Sequence, residues 1–356
     1  MKIGILTFTD GTNLGQRLQN YALQTLLEEH GCHAYTIRQS HPSPLIKRLL
    51  KSSRDCALHH SRFVAERKRE SNFEAFNNQF IRFYEKTLNF KNPNSSICND
   101  FDAFIVGSDQ IWNPMSPFVG DNFFLRFAPY EKRLTYAPSF SVENIPEKFM
   151  YQYRKRLEGF RYLSVREHRG AQIIQTITGR NATVVLDPTL MINRKHWEGV
   201  STPYGQAPDK PFILSMFLGG KPSTSVHEIS EHLHLSVFSI DSLTNINPSQ
   251  FLGALRQASL VLTDSYHVTI FSILFNVPFV NFNRTGSLNM NSRFETLYQN
   301  LGINRRFWGT FELGDIMSVD FDTIREHLEC KRKESSLFLE TELKWVTQTL
   351  KSKTKD

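Results

Sequence analysis

Short apolar runs that alternate with helix-like segments are the feature that most constrains what this sequence can fold into. Residues 3–8 (IGILTF) have the pattern of a buried strand, residues 9–13 are small and polar, and residues 18–26 carry apolar side chains at helical spacing. The helical pattern ends at Gly31, and a second apolar run covers residues 33–37. A strand, a loop, a helix and a strand in this order begin a parallel α/β layer.

The same alternation continues along the sequence. Helical stretches separate most of the further strand candidates, which are residues 101–106, 134–137, 162–165, 183–186, 212–217, 236–240, 260–262 and 279–282. The pattern predicts an α/β fold with two doubly wound sheets. The connector 199–211, with three Pro and two Gly, indicates the boundary between a first domain, 1–205, and a second domain, 206–330. A C-terminal helix is predicted within 331–356, and its packing on the first domain is left open.

Composition excludes several classes of protein. Hydrophobic residues make up 40% and charged residues 22% of the 356 residues, which is typical of a folded globular chain. The four cysteines have neither CxxC nor metal-ligand spacing, so no disulfide framework and no metal site is predicted. No run reaches the roughly 18 apolar residues of a membrane span, and the first residues do not have the pattern of a signal peptide. A cytoplasmic protein is therefore expected.

The basic residues are concentrated in one segment. The net charge is +7, from 42 Lys and Arg against 35 Asp and Glu. Within a basic excursion at 42–70, residues 47–69 hold eight basic and two acidic residues. Such a run is most often a solvated surface. The functional alternative is contact with an anionic membrane surface or a lipid pyrophosphate, worth about 1 kcal/mol per basic residue. The charge forms no continuous stripe with interleaved aromatics, so nucleic acid is not an expected partner.

Polar residues that follow apolar runs are the first site candidates, because ligands of open α/β sheets bind at the carboxyl ends of the strands. Residues 9–16, which include Asn13, precede a helix whose N-terminus favours an anion, although a structural turn is equally consistent. A second cluster suits a sugar, since its polar groups can pair with hydroxyls and its indole can cover an apolar sugar face. Its members are Asp109, Gln110, Trp112 and Asn113. The alternative is a capped turn with Trp112 as a core anchor.

Two charged segments also follow strand candidates. Arg166 can hold a phosphate or a carboxylate in a bidentate fork, or it can form a surface pair with Glu167. The step from Asp187 to Pro188 has the pattern of a strand exit and indicates mainly a structural turn.

The strongest candidate is the corner at residues 260–274. A strand candidate ends there, three polar residues follow, and His267 lies in the first turn of an otherwise apolar helix that Asp264 or Ser265 can cap. A histidine at such a corner can act as a general acid or base, or donate a hydrogen bond to a phosphate. Arg293, in a later polar loop, would face the same edge of a doubly wound sheet, or else lie on a surface helix.

These motifs together resemble those of the polysaccharide pyruvyl transferases. The similar segments run from residue 3 to about residue 300 and read GTNLGQRLQNYALQ, VGSDQIWNP, TYAPSF, SVRE, VLDPTL and LTDSYHVTIFSILFNVPFV. The resemblance implies a GT-B-like architecture, in which two Rossmann-like domains face each other across a cleft. It also implies transfer of the pyruvyl group of phosphoenolpyruvate to two hydroxyls of a hexose, with a cyclic pyruvate ketal and phosphate as products.

The resemblance also implies roles for individual residues. His267 matches the family's active-site histidine, and Arg166 matches a donor-binding arginine. Many members carry an arginine at the position of Ser265, so this chain must meet the charge of the donor elsewhere. Arg293 is the candidate for that charge, with Ser265 and Asn291 beside it on the donor side. The acceptor is expected on the first domain, at Asn13, Gln19, Asp109, Gln110, Trp112 and Asn113.

Further partners follow from the same resemblance. The acceptor is expected to be an oligosaccharide on undecaprenyl pyrophosphate, which would place the protein at the inner face of the membrane. No metal and no cofactor beyond the co-substrate phosphoenolpyruvate are expected, because the chemistry creates a cation rather than an oxyanion at the reacting carbon. The number of subunits is not predicted.

Two other functions suit the same architecture. A nucleotide-sugar glycosyltransferase would place a carboxylate against the nucleotide ribose, and the candidates in the second domain are Glu228 and Glu231. A catalytically inactive carbohydrate-binding protein would bind sugar whether or not His267 is present.

Overall fold

A computed structural model describes residues 1–40, 60–90, 95–284 and 291–353 of the chain. Most of the predicted basic segment, residues 47–59, lies outside these ranges, as do residues 289 and 290 of the polar loop before Arg293.

The first domain contains a four-stranded parallel sheet with the spatial order β2-β1-β5-β6. Its strands are β1 (Lys2–Leu6), β2 (His33–Thr36), β5 (Ala103–Val106) and β6 (Arg133–Thr135). Two short parallel pairs flank it, β3 (Gln39–Ser40) with β4 (Leu88–Asn89) and β7 (Ser164–Val165) with β8 (Thr183–Val184). The main strands are buried on both faces, as the apolar runs predict for a parallel sheet.

The second domain contains a second four-stranded parallel sheet, in the order β10-β9-β11-β12. Its strands are β9 (Phe212–Met216), β10 (Ser236–Ile240), β11 (Leu260–Thr263) and β12 (Phe279–Asn281). In both sheets the chain moves outward from a central strand to one edge, then returns to build the other side. The predicted α/β fold with two Rossmann-like domains is confirmed.

Helices cover the sheets and connect their strands. They are α1 (Leu14–Glu29), α2 (His60–Phe80), α3 (Glu147–Leu157), α4 (His168–Thr178), α5 (Pro188–Met191), α6 (Arg194–Val200), α7 (Ser223–Leu233), α8 (Pro248–Gln257), α9 (Tyr266–Phe275), α10 (Ser292–Leu301) and α11 (Phe321–Lys353). Short 3-10 turns lie at Ser95–Asn99, Asp121–Phe124, Tyr130–Lys132 and Leu313–Asp315. Side-chain caps fix several helix starts; at α8, for example, Asn247 and Gln250 form a capping box around Pro248.

One buried apolar cluster joins the two domains. It contains Ile3 and Ile5 from the first sheet, Leu214 and Val261 from the second sheet, and Phe271 from α9. Because side chains alternate across a strand, the opposite faces of the two sheets line two separate clusters. The two domains therefore meet over shared apolar packing, and the segments on either side of this junction are held close together.

The last helix, α11, packs against the first domain. It begins at Phe321, before the segment 331–356 in which it was predicted, so the predicted boundary at 330/331 falls inside it. Glu342 accepts a hydrogen bond from the backbone N–H of Thr135 (3.1 Å), and Ser335 accepts one from the N–H of Leu186 (3.0 Å). The exact domain limits stay a prediction. None of the helices in the described ranges is long and apolar enough to cross a membrane.

Candidate active site

His267 lies at the junction of the two domains, at the start of α9. Strand β11 ends at Thr263, whose hydroxyl accepts a hydrogen bond from the N–H of Ser265 (3.0 Å) and so turns the chain into the helix. Ser265 is the N-cap residue but makes no side-chain cap. His267 follows in the first turn and is 9% exposed. Its ring reaches a cleft between the domains, as the resemblance predicts.

The cleft has a volume of about 430 Å³ and is built from both domains. The first domain supplies the start of α1, with Asn13 and Gly15, and Arg69 from α2. The second domain supplies the loops that follow three of its strands, at residues 216–219, 240–242 and 265–268. The carboxyl ends of the second sheet therefore face the N-terminus of a helix of the first domain.

Gly15 lies directly against the imidazole of His267. A Cβ atom built on Gly15 would lie 2.3 Å from Nδ1 of His267, a distance that no real contact allows. The helical backbone does not itself require glycine at this position, since no positive φ occurs there. Glycine is needed because the ring occupies the space that a side chain would fill.

On its other side the ring of His267 approaches a buried carboxylate. Nε2 of His267 lies 3.5 Å from Oδ2 of Asp187, and the Asp187 side chain is fully buried. Asp187 caps the short helix α5, accepting hydrogen bonds at Oδ1 from the N–H (3.1 Å) and hydroxyl (2.7 Å) of Thr189. Its Oδ2 accepts from Ser108 Oγ (3.0 Å) and Arg166 Nη1 (2.8 Å). Sequence reasoning treated Asp187 as a turn residue and missed its position beside His267.

These contacts keep Asp187 ionised. Burial opposes the charge, but His267, Arg166 and the hydrogen bond from Thr189 together hold the pKa of Asp187 far below its usual value. A permanently charged carboxylate beside Nε2 favours the tautomer that carries its proton on that nitrogen. Nδ1 is then the nitrogen that can exchange a proton with a ligand.

Arg166 lies beneath the cleft rather than on its surface. Its guanidinium is fully buried and pairs with Asp187 (2.8 Å) and Asp109 (3.3 Å), and it lies 3.9 Å from Glu167. Burial opposes the charge, yet Asp187 and Asp109 raise the pKa of Arg166 above its usual value. Direct donor binding by Arg166, as the resemblance implies, is not what the structure supports, because its guanidinium pairs with these carboxylates and, although its Nε has no hydrogen-bond partner, it does not line the cleft. Arg166 instead fixes Asp187 beside His267.

Arg293 lies next to this group of charges, as a doubly wound sheet predicts. Its guanidinium packs over the ring of Tyr266 at 5.5 Å, and Arg166 lies over the same ring at 4.8 Å. Burial and the neighbouring Arg166 lower the pKa of Arg293 to about 10. Its side chain is buried and does not line the cleft. Asn291 donates to Asn283 (2.9 Å) near the surface and is also outside the cleft.

Trp112 lies in the core of the first domain and not at a sugar site, which was the other prediction for this residue. The indole is fully buried, stacks on Phe124 with ring centroids 5.4 Å apart, and donates to the carbonyl of Phe123 (2.8 Å). Gln19, also expected to contact the acceptor, is fully buried and bonds to Thr7 (2.8 Å) and Ser108 (2.9 Å). Both residues hold the first domain together, because large apolar and amide groups at these positions complete its interior.

The other acceptor candidates divide between structural and exposed positions. Asn13 caps α1 by accepting a hydrogen bond from Gln16 N–H (3.2 Å), while it also borders the cleft. Asp109 is occupied by Arg166, and Asn113 accepts from Met115 N–H (2.9 Å) in a turn. Gln110 lines a groove of about 440 Å³ at the carboxyl ends of the first sheet. Of the first-domain cluster, Gln110 is therefore the residue best placed to meet a ligand.

The positions of Glu228 and Glu231 give little support to a nucleotide-sugar glycosyltransferase. Glu228 and Glu231 lie on the exposed face of α7, and Glu231 faces His227 at 3.2 Å. Within the described ranges, no group of three or more His, Cys, Asp or Glu side chains is placed to hold a metal ion. The expected absence of a metal stays a prediction.

The fold and the cleft define an α/β protein with a histidine–carboxylate pair between two Rossmann-like domains. A sequence profile of the polysaccharide pyruvyl transferases matches residues 13–286, a stretch that contains Gly15, Asp187 and His267. The chain belongs to the polysaccharide pyruvyl transferase family, whose members are transferases acting in polysaccharide synthesis. No curated protein sequence matches the chain.

The solved structures to which the fold of this chain is partly similar include sugar-nucleotide and cell-wall enzymes. The UDP-GlcNAc 2-epimerase of Neisseria meningitidis is 13% identical, with a TM-score of 0.49 over 96% of this chain and 99% of that chain. The epimerase of Methanocaldococcus jannaschii is 14% identical, with a TM-score of 0.46 and 92% of each chain covered. The wall teichoic acid polymerase TagF is 8% identical, with a TM-score of 0.48 over 98% of this chain and 89% of that chain. Likenesses of this degree carry no conclusion about the reaction.

Proposed function

We propose that this protein transfers the pyruvyl group of phosphoenolpyruvate to two hydroxyls of a hexose in a polysaccharide precursor, forming a cyclic pyruvate ketal and releasing phosphate. The observation that carries the proposal is the placement of His267, whose ring lies between Gly15 and the ionised Asp187 in a cleft shared by both domains. Membership of the pyruvyl transferase family supports the same reaction class.

The chemistry needs one group that moves protons. Protonation of the methylene carbon of phosphoenolpyruvate creates a cationic centre at the neighbouring carbon, which one sugar hydroxyl attacks. Phosphate then leaves, and the second hydroxyl closes the ring. Of the two hydroxyl protons, one ends on the new methyl group and the other on phosphate. We assign this transfer to His267: the approach of Nε2 to Asp187 supports a ring that Asp187 orients and that exchanges the proton at Nδ1.

The groove at the carboxyl ends of the first sheet suits the sugar acceptor. It is lined by Gln39, Gln110 and the ring of Phe118, which is 53% exposed. Amide groups can pair with hydroxyls, and an exposed aromatic ring can cover the apolar face of a hexose. Phe118 thus replaces Trp112 as the candidate sugar platform. A lipid-linked acceptor at the inner face of the membrane remains part of the proposal and follows from the family resemblance alone.

The test is phosphate release from phosphoenolpyruvate over a panel of lipid-linked and aryl-tagged hexosides, with formation of the ketal confirmed by mass spectrometry. His267→Ala should lower turnover by about 10²–10⁴-fold, the usual contribution of a general acid or base. Asp187→Asn should lower it less and should also change the pH profile, because the ring loses the carboxylate that fixes its tautomer.

Binding and chemistry are separated by two further measurements. His267→Ala should still fold and bind phosphoenolpyruvate, since Ser108, Arg166 and Thr189 continue to donate hydrogen bonds to Asp187. A folded His267→Ala enzyme that keeps more than about a tenth of wild-type turnover would exclude the proton-transfer role. Nucleotide release from a nucleotide sugar, without phosphate release from phosphoenolpyruvate, would replace the proposed function by glycosyl transfer.

A further inference from the structure

Arg69 is the cleft residue that neither the sequence motifs nor the family match assigns to a function. It lies on α2 within the basic excursion, where the run of positive charge pointed to a solvated surface. Its side chain instead turns inward, is 4% exposed and lines the cleft that contains His267. Because a charged side chain is rarely buried without a reason, its surroundings are informative.

Three backbone carbonyls hold the guanidinium in place. Nη1 donates to the carbonyls of Asp241 (3.1 Å) and Thr244 (2.7 Å) in the second domain, and Nη2 lies 3.4 Å from the carbonyl of Thr12 in the first domain. These contacts bring α2 onto both walls of the cleft. A neighbouring bond from Asn72 to Asn245 (2.7 Å) fixes the same segment.

The carbonyls do not satisfy the whole guanidinium. Nε of Arg69 is buried and has no hydrogen-bond partner in the structure. Burial lowers the pKa of Arg69, and the nearby carboxylate of Asp241 raises it, so Asp241 compensates the positive charge only in part. The carboxylate of Asp241, the acidic group of the cleft wall, accepts from the N–H groups of Leu243 and Thr244 (2.8 Å each) and from the Thr244 hydroxyl (2.9 Å). A buried donor and a buried cation beside a cavity are favourable for an anionic ligand.

Charge in the rest of the cleft leads to the same conclusion. Phosphoenolpyruvate carries a carboxylate and a phosphate and needs fixed positive charge. Among the described residues that line the cleft, Arg69 is the only lysine or arginine; the other ionisable side chains there are those of His267 and Asp241. Arg166 is occupied by carboxylates below the cleft, and Arg293 does not line it.

We propose that Arg69 binds the phosphate or carboxylate group of the donor in the cleft between the two domains. This inference rests on the proposed function, because the anion is taken to be phosphoenolpyruvate. The start of α9 at Ser265 adds the partial positive charge of a helix N-terminus on the same cleft wall. Since Arg69 contacts carbonyls of both domains, an anion bound to it would lie at their junction, next to His267.

The experiment measures binding of phosphoenolpyruvate to the whole protein by calorimetry, without an acceptor, so that turnover is not required. Arg69→Gln should weaken binding by about 10- to 100-fold, the loss expected for a charge-assisted hydrogen bond. Arg69→Lys should weaken it at least about threefold, because lysine keeps the charge but lacks the Nε donor.

Arg306 provides a matched control for the structural part of the effect. It is 7% exposed, and like Arg69 it donates to three backbone carbonyls, those of Phe279, Ile316 and Ser318, but outside the cleft. Arg306→Gln should lower the melting temperature as much as Arg69→Gln does, and should leave the affinity for phosphoenolpyruvate unchanged.

Each remaining outcome decides between explanations. No binding of phosphoenolpyruvate to the wild type would contradict the proposed function itself. Wild-type binding that Arg69→Lys leaves unchanged, or that Arg69→Gln weakens no more than Arg306→Gln, would overturn the inference and leave the proposed function standing. Inorganic pyrophosphate forms a second arm: if the Arg69 variants weaken pyrophosphate binding but not phosphoenolpyruvate binding, Arg69 contacts the lipid pyrophosphate of the acceptor and the donor assignment is wrong.

Discussion

The carboxyl ends of the two sheets carry similar polar motifs, but the residues of these motifs lie in different surroundings. In each domain a central strand is followed by a polar turn with an aspartate, Asp109 after β5 and Asp264 after β11. In the first domain the chain covers its own turn: Trp112 enters the core and Asp109 pairs with Arg166. In the second domain Asp264 is likewise held by its own domain, through Arg284 and the N–H groups of Leu218 and Gly219. His267, three residues later, instead meets Gly15 and Asp187 of the first domain at a cleft. The element that packs over the end of a strand therefore determines whether the polar residues there stabilise the domain or face a ligand.

Replacing Trp112 gives the largest effect expected from this comparison. Trp112→Ala should lower the free energy of unfolding by about 3–5 kcal/mol, the usual result of truncating a fully buried tryptophan. The KM for the acceptor should stay unchanged in the folded enzyme, because the indole does not reach a ligand. Chemical denaturation and acceptor kinetics measure the two quantities.

Phe118→Ala should have the opposite pair of effects, because Phe118 is exposed and lines the groove of the same domain. It should change stability by less than about 0.5 kcal/mol, as is usual for surface substitutions, and should raise the KM for the acceptor. If Trp112→Ala raised that KM while Phe118→Ala did not, the sugar platform would belong to the motif after β5 and the comparison of the two sheets would fail.

Gly15 tests how closely the first domain must approach the second-domain site. Gly15→Ala should lower kcat by about 10²-fold, because the added methyl group occupies the position of Nδ1 of His267 and displaces the ring or the helix. Helix stability should not suffer, since alanine is the better helix former. Steady-state kinetics with circular dichroism separate the two effects.

Gly199 is the matched control for that substitution. It also lies within a helix, α6, but a Cβ atom there would meet no neighbour within 4 Å. Gly199→Ala should therefore keep wild-type turnover and slightly raise stability. Turnover of Gly15→Ala above half of the wild-type value would show that the ring of His267 does not depend on this contact.

Local patterns in the sequence predicted what local geometry determines. Apolar runs located the strands of both sheets, because parallel strands covered on two faces consist mainly of apolar residues. The polar corner at residues 264–267 located His267, since its residue types contrast with the apolar helix that follows. The family motifs added the reaction class.

Long-range packing could not be predicted in the same way. Asp187 was interpreted as a turn residue because no local pattern shows its contact with His267, which lies 80 residues later in the sequence. Trp112 was left open between a sugar site and the core, and Arg69 was predicted on a solvated surface, for a related reason: burial depends on which element lies above a side chain. An aromatic after a strand suits a ligand or a core equally well, and an arginine in a basic run can still turn inward.

Glu342 gives the smallest expected effect. It tests how α11 covers strand β6 of the first domain. Its carboxyl group, on α11, is fully buried, and Oε1 accepts a hydrogen bond from the N–H of Thr135 while Oε2 has no partner. Burial raises the pKa of Glu342 well above its usual value, so folding favours the protonated form. The contribution of Glu342 to stability should therefore be fully present below the unfolded pKa of about 4.3 and be lost as the pH rises toward the folded pKa.

Glu342→Gln removes this titration while keeping an oxygen that can accept from Thr135. The variant should exceed the wild type by about 1 kcal/mol in free energy of unfolding near pH 8, with the difference vanishing near pH 4. Glu340→Gln is the control, because Glu340 lies on the same helix with its side chain 41% exposed and pairs with Lys344. A Glu342→Gln protein that is less stable than the wild type at pH 8 would mean that the carboxylate is charged and satisfied in the folded state.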